Sequence, residues 1–314
     1  MVKYGDIFSG IGCVAQALKR DYKFTYEFAC DIDKACKKNL LHNFDINTFY
    51  DDVKEITALP KVDLFTSGFP CQPFSCNNRT KKSGSNHPKF DLFDETVRCL
   101  RLCDPECFIL ENVAGLTYKN NAVFFSYIKT TLNTLGYNWE YKILNSKDYG
   151  TPQSRKRVYF IGKKIGFPKF PPIIPLTVTL MDVLDFTLPI ESFITKSKNK
   201  LWESIDEDGL YIDNHSQNTK AFWRSRKLPY DFCYCLCVVA RPCLYKKYKG
   251  EVFRREFTIQ EQEILQGITD FDNVCSDSRY SKQIGNGMDV NLMSKLLKLN
   301  VVQKIKIRVK IRNS

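Results

Sequence analysis

The chain has 314 residues, 43% of them hydrophobic and 13% aromatic, enough to bury one large core or one core with a smaller satellite. Lys and Arg outnumber Asp and Glu by 47 to 35, and the formal charge of +12 favours a polyanionic partner over a purely small-molecule enzyme. Apolar runs such as Cys107-Phe108-Ile109-Leu110 fall far short of the ~20 residues of a membrane span, so none is expected. With no secretory pattern before the first strand-like run, the 13 cysteines are expected as thiols in a reducing compartment, not in a secreted protein.

To about residue 165, short apolar runs alternate with helix-like stretches, the pattern of βαβ units around a mostly parallel sheet. Strands are predicted over Tyr4 to Phe8, Tyr26 to Asp31, Val62 to Thr66, Cys107 to Leu110, Trp139 to Leu144 and Val158 to Ile161, and helices over 12–20, 33–42, 91–103 and 121–135. Ligands of such open sheets bind at the carboxyl ends of the strands, so the chemistry belongs in the loops that follow them. The first such loop, Asp6-Ile7-Phe8-Ser9-Gly10-Ile11-Gly12, sets two glycines where a cofactor can approach the backbone and a helix N-terminus. Ala15 stands where a dinucleotide fingerprint has its third glycine, which weakens a nicotinamide reading. Asp31 closes the second strand, where a carboxylate can bind ribose hydroxyls; the alternative is a helix N-cap before Asp33-Lys34-Ala35.

The run Gly68-Phe69-Pro70-Cys71-Gln72-Pro73-Phe74-Ser75 holds a cysteine between prolines on a stiff loop just past a strand. The segment Cys76 to Phe90, rich in Lys, Asn, Ser and Gly, reads as a long mobile loop whose place beside that cysteine favours function. Glu111-Asn112-Val113 ends the next strand and brings a carboxyl group to the same sheet edge as Cys71. In Gln153-Ser154-Arg155-Lys156-Arg157, strand alternation puts both arginines on one face, able to point at an anionic or electron-rich ligand.

Pro168, Pro171, Pro172 and Pro175 mark a linker, after which an irregular aromatic and basic stretch to about residue 253 reads as a second, smaller domain. Within it Cys233, Cys235 and Cys237 alternate along a strand-like run and should share one sheet face as small buried thiols; the paired spacing of a structural zinc site is missing, and so is a pattern linking His42, His87 and His215. Helices are expected from Thr258 to Gln266 and from Asp289 to Leu299, followed by a basic tail from 301.

Taken together, these motifs resemble the DNA cytosine-5 methyltransferase family over nearly the whole chain. The resemblance rests on Gly68 to Ser75, Glu111-Asn112-Val113 and Gln-x-Arg-x-Arg in that order. Asp51-Asp52-Val53, Leu92-Phe93, Arg255-Glu256-Phe257-Thr258 through Glu261 to Leu265-Gln266-Gly267, and Gln283-Ile284-Gly285-Asn286 add to it. It implies an α/β, Rossmann-like S-adenosylmethionine-dependent fold with a mostly parallel sheet and a second, smaller target-recognition domain. The divisions would be 1–175 for catalysis and cofactor, 176–278 for recognition with a connector, 279–300 for a helix returning to the catalytic domain, and 301–314 for the tail.

The reaction implied is methyl transfer to carbon 5 of a flipped-out cytosine in a specific short sequence of double-stranded DNA. Cys71 would be the nucleophile at carbon 6, Glu111 the proton donor to ring nitrogen 3, Arg157 and the Pro70 backbone the contacts to the base, with Arg155 beside them and Asn112 fixing the Cys71 loop. S-adenosylmethionine, converted to S-adenosylhomocysteine, would lie against Phe8, Ser9, Gly10, Ile11 and Gly12, then Asp31 and Ile32, Asp52 and Val53, Leu92, and Asn286 and Gly287. No metal is called for. The resemblance further implies a monomer of the restriction-modification or viral type, with a possible cognate restriction endonuclease and no membrane, in the cytoplasm or wherever the host or viral genome lies. A tRNA cytosine-5 methyltransferase is the alternative on the same fold, although its Pro-Pro-Cys-Gln is replaced here by Gly68-Phe69-Pro70-Cys71. The chain departs from the family at Lys89-Phe90-Asp91, where Arg-Gly is common. In the segment Arg241 to Tyr248, Cys243-Leu244 replaces a Thr-Leu pair where DNA would be read.

Overall fold

The computed structural model describes residues 1–70, 90–192, 195–196, 209–214, 224–227, 231–236, 243–248 and 251–301. Cys71, most of the basic loop behind it, much of the region between 193 and 250, and the tail beyond 301 lie outside the described residues.

Seven strands form the main sheet: Val2–Ile7 (β1), Phe24–Cys30 (β2), Ile46–Tyr50 (β3), Leu64–Ser67 (β4), Cys107–Val113 (β5), Asn138–Asn145 (β6) and Lys156–Lys163 (β8). Their order is β3-β2-β1-β4-β5-β8-β6, and the first five run parallel. Burial on both faces requires nearly continuous apolar strands, and β4 and the first six residues of β5 are buried throughout. Successive β5 side chains enter opposite layers: Cys107 and Ile109 pack with Tyr4, Leu18 and Leu296, whereas Phe108 and Leu110 pack with Phe65, Phe93 and Ile128. The first layer is covered by helices Cys13–Asp21 (α1), Asp277–Asn286 (α7) and Val290–Asn300 (α8), the second by Phe90–Cys103 (α3) and Ala122–Asn133 (α4). Helix Lys34–Asn43 (α2) crosses from β2 to β3.

Three features depart from the sequence expectation. The edge strand β3 was not anticipated, because Ile-Asn-Thr-Phe-Tyr is half exposed and has no apolar run. Strand β8 is antiparallel to both β5 and β6, since the connection 146–155 is too short for a parallel crossover. The single returning helix expected over 279–300 is two helices, broken where Gly287 turns extended and Asp289 caps α8 by accepting from Leu292 N at 2.7 Å. Periodicity gave no sign of helix α7, implied only by the resemblance, because its sequence is polar and includes Gly285, yet Tyr280, Gln283 and Ile284 are buried.

A five-stranded antiparallel sheet is built from Thr195–Lys196 (β9), Gly209–Asn214 (β10), Arg224–Lys227 (β11), Cys243–Tyr248 (β13) and Glu251–Glu256 (β14). Cys243, Leu244 and Tyr245 are buried in it, so this part of the segment expected to read DNA serves packing. A further pair, Gln153–Ser154 (β7) with Cys233–Tyr234 (β12), ties residues 231–236 to the chain just before the start of β8. Leu180 and Val183 of helix Leu180–Val183 (α5) and Leu265 of Ile259–Gln266 (α6) join the same hydrophobic cluster as Tyr4 and Leu296.

Candidate active site

The strand order reverses between β1 and β4, and the crevice beyond their carboxyl ends is where open sheets take ligands. The loop Phe8 to Gly12 leaves β1 there. Phe8 sits at φ +56°, a conformation costing a non-glycine residue about 1 kcal/mol that persists because its surroundings over-determine it. Ser9 supplies that restraint: its N–H donates to Cys30 O at 3.0 Å, and its hydroxyl donates to Asp6 Oδ1 at 2.7 Å. Gly10 has the same φ, and a side chain there would project into open space, so the backbone is bare toward the crevice. Gly12 caps α1.

At the end of β2, Asp31 accepts from Gly10 N at 2.7 Å and from Asp33 N at 2.9 Å. Burial pushes its carboxyl above the ordinary carboxylate range, while those two N–H groups pull it back. The cap of α2 is Asp33, accepting from Ala35 N at 2.8 Å, so the N-cap alternative for Asp31 does not hold. Ile32 next to it is 79% exposed, an apolar side chain laid open beside a carboxylate. Asp52 caps a short 3₁₀ turn at Val53–Glu55, and Arg98 of α3 braces that turn by donating to Val53 O at 2.7 Å and to Ile56 O. Leu92, near the start of the same helix, is half buried against the aromatic layer.

Gly287, after α7, closes this side. Its Cβ would lie 2.6 Å from Cys13 Sγ, so only glycine lets the turn sit on the start of α1. Asn286 beside it is exposed.

The second half of the site lies at the ends of β4, β5 and β8. Asn112 Nδ2 donates to Phe69 O at 3.1 Å, and the Phe69 ring packs 5.4 Å from Phe93, which together hold the chain entering Pro70 and Cys71. Glu111, 8% exposed, has Oε1 3.1 Å from Arg157 Nε, and Gly68 lies alongside. Both predicted arginines face one way, since each reaches Cys235 Sγ, but their uses differ. Arg155 is buried and donates to Gly285 O at 3.1 Å and to Gly287 O at 2.7 Å, gripping the carbonyl end of α7. Strand β12 ends at Tyr234, so Cys235 does not join Cys233 as a packed thiol, and Cys237 lies outside the described residues.

A model of the C-5 cytosine-specific DNA methylases matches residues 2–232. The chain belongs to that family. It is 34% identical over 309 residues to the type II methyltransferase M.NgoBI of Neisseria gonorrhoeae, a match covering 95% of this chain and 93% of that one. To M.BanI of Aneurinibacillus aneurinilyticus it is 36% identical over 165 residues, 51% of this chain but only 38% of the relative's length. The crystal structure of S. pombe Dnmt2 methyltransferase shares the fold, with a TM-score of 0.68 at 16% identity over 97% of this chain and 99% of that chain. The methylase is thus an α/β enzyme of the DNA cytosine-5 methyltransferases, a family that depends on S-adenosylmethionine. Among its described residues no helix is long and apolar enough to cross a membrane.

Several residues of this methylase that the sequence reading quoted only as motif members, with no role of their own, support the site. Gln153 is fully buried: its amide donates to Gln266 Oε1 at 3.0 Å and accepts from Leu236 N at 3.1 Å, tying β7, α6 and residue 236 together. Asp6, buried under the Phe8 loop, accepts from Tyr26, Ser9 and Tyr4 hydroxyls at 2.6, 2.7 and 2.9 Å. Desolvation nevertheless lifts its pKa from 3.8 to about 6, against the pull of those three donors. A folded pKa above the unfolded one means that the folded protein binds the proton more tightly. The stabilisation is therefore fully present below pH 3.8 and is lost as pH rises through about 6. Urea unfolding should show the wild type gaining about 1 kcal/mol relative to Asp6→Asn on going from pH 7 to pH 5. A difference between the two proteins that is flat across that range would contradict the burial account.

Proposed function

We propose that this methylase moves a methyl group from S-adenosylmethionine to carbon 5 of a flipped-out cytosine in a short, specific sequence of duplex DNA, through a covalent adduct with Cys71. The observation that carries the reading is the Glu111–Arg157 pair, 3.1 Å apart at the end of β5 beside the strand end that leads through Phe69 and Pro70 to Cys71. A carboxyl group and a guanidinium at the sheet edge where the chain runs on into Cys71 suit addition of a thiolate to a ring carbon activated by protonation of the ring.

The other half of the crevice fits the donor. Asp31 offers a carboxylate to vicinal hydroxyls, exposed Ile32 an apolar face to a purine, and bare Gly10 a close backbone approach, with Asp52, Val53, Leu92, Asn286 and Gly287 around them. When bound, S-adenosylmethionine supplies an electrophilic methyl group and leaves as S-adenosylhomocysteine. The protein does the rest. Cys71 adds as thiolate to carbon 6 while Glu111 gives its proton to nitrogen 3, which turns carbon 5 into an enamine carbon. Arg157 and the Pro70 carbonyl hold the base in register, and Asn112 holds Phe69 so that Cys71 stays aimed. Once carbon 5 carries the methyl group, loss of its proton and expulsion of Cys71 restore the ring. A stacked base hides both faces of carbon 6, so the cytosine must leave the helix first.

Residues 1–175 with the returning helices would carry this chemistry, and residues within 176–278 would read the DNA. The enzyme would act as a monomer, and its likeness to type II methyltransferases suits one that works beside a cognate endonuclease. The test is labelled methyl transfer from S-adenosylmethionine to duplex DNA and to tRNA in parallel, followed by sequencing of the modified cytosines. Incorporation into a short recurring DNA sequence is expected; incorporation into tRNA alone would replace this reading with the RNA alternative.

A further inference from the structure

Two arginines of this site meet on a sulfur that no step above uses. Cys235 follows β12, and the pairing of β12 with β7, secured by the bond from Leu236 N to Gln153, carries it to the start of β8. There Arg155 Nη1 donates to Sγ at 3.2 Å and Arg157 Nη2 donates at 3.5 Å. A neutral thiol is a weak acceptor, and two guanidinium groups converging on one sulfur suit a thiolate far better.

We propose that Cys235 is a positioning residue for methyl transfer: as a thiolate it shares Arg157 with Glu111 and so limits how tightly Arg157 binds the Glu111 carboxylate. The inference rests on Glu111 being the proton donor. The groups facing the sulfur are Arg155, at the entry to β8, Arg157 of β8, the buried thiol of Cys233 on β12, and Glu111 of β5 on the far side of Arg157. Burial opposes ionisation of Cys235, but the two arginines outweigh it and hold the thiol below its ordinary range. Two anions on one guanidinium share its pull. With Cys235 as the second, Arg157 keeps the base contact without being drawn wholly onto Glu111.

Cys235→Ser keeps the size and removes the readily ionised group, while Cys235→Asp restores a fixed anion. In labelled methyl transfer, Cys235→Ser should lower kcat about tenfold with little change in KM for DNA. Cys235→Asp should recover most of the loss. Equal kcat for wild type and Cys235→Ser would overturn the proposal, as would a Cys235→Asp enzyme that melts like wild type yet stays as slow as the Ser variant. An independent measurement is iodoacetamide labelling of Cys235 against pH in a Cys71→Ser background, read by peptide mass. Its midpoint should lie below the ordinary thiol value of about 8.5 and rise in Arg157→Ala. Active wild type with a midpoint at or above that value would overturn the proposal alone. Wild type that transfers no methyl group at all would overturn the enzyme reading and the proposal with it.

Discussion

Glu111→Gln should lower kcat for methyl transfer by about 10²- to 10³-fold while changing KM for DNA little. The amide keeps the size of the side chain beside Arg157 Nε, which lies 3.1 Å from the carboxylate in the native protein, so the proposed base contact of Arg157 should survive. What is lost is the proton. Without it, addition of sulfur to carbon 6 leaves the negative charge on the ring uncompensated, in a site where Glu111 is only 8% exposed and water cannot take over. A Glu111→Gln enzyme within about threefold of the wild-type rate would remove Glu111 from the mechanism.

The largest expected effect on stability lies elsewhere, at Glu261. Its carboxylate receives both Nη atoms of Arg255 at 2.6 and 2.8 Å, with 5% and 3% of the two side chains exposed. The same carboxylate accepts from Thr258 N at 2.8 Å, completing the capping box of α6, and from Asp185 N at 3.0 Å. Glu261→Ala strands a buried guanidinium and frees two N–H groups at once, and should cost about 3–5 kcal/mol in urea unfolding. Replacing both partners, as Arg255→Met with Glu261→Leu, should recover much of that loss, because the desolvation of both charges is then relieved. A cost under about 1 kcal/mol for Glu261→Ala would mean that water reaches the pair.

The strands β1, β2, β4 and β5 were legible because burial on both faces writes itself as an apolar run, and the ends of those runs mark the crevice. The residues singled out at those ends, Gly10, Asp31, Glu111 and Arg157, do gather there as two groups, one on each side of the switch in strand order. Half-exposed β3 and polar α7 gave no such signal, since tertiary contacts and not periodicity hold them in place. Arg155 shows a subtler limit. Strand alternation placed it correctly beside Arg157, but its partners are carbonyls of Gly285 and Gly287, 130 and 132 residues away, and no local pattern announces them. The same holds for Gln153 with Gln266, for Arg98 under the Val53 turn, and for Cys235, which sequence alone reads as one small thiol among several. Motifs name the groups that do chemistry, whereas the groups that hold them still are visible only once the chain is folded.

The most direct measurement of the central claim is the mass of the protein after incubation with S-adenosylmethionine and duplex DNA carrying 5-fluorocytosine at the methylated position. Fluorine cannot leave carbon 5 as a proton does, so once the methyl group is in place the sulfur cannot be expelled. Wild type should accumulate a covalent protein–DNA complex whose linkage maps to Cys71, and Cys71→Ser should form none. An adduct of equal yield in Cys71→Ser, or methylation of ordinary DNA by that variant at the wild-type rate, would contradict the account.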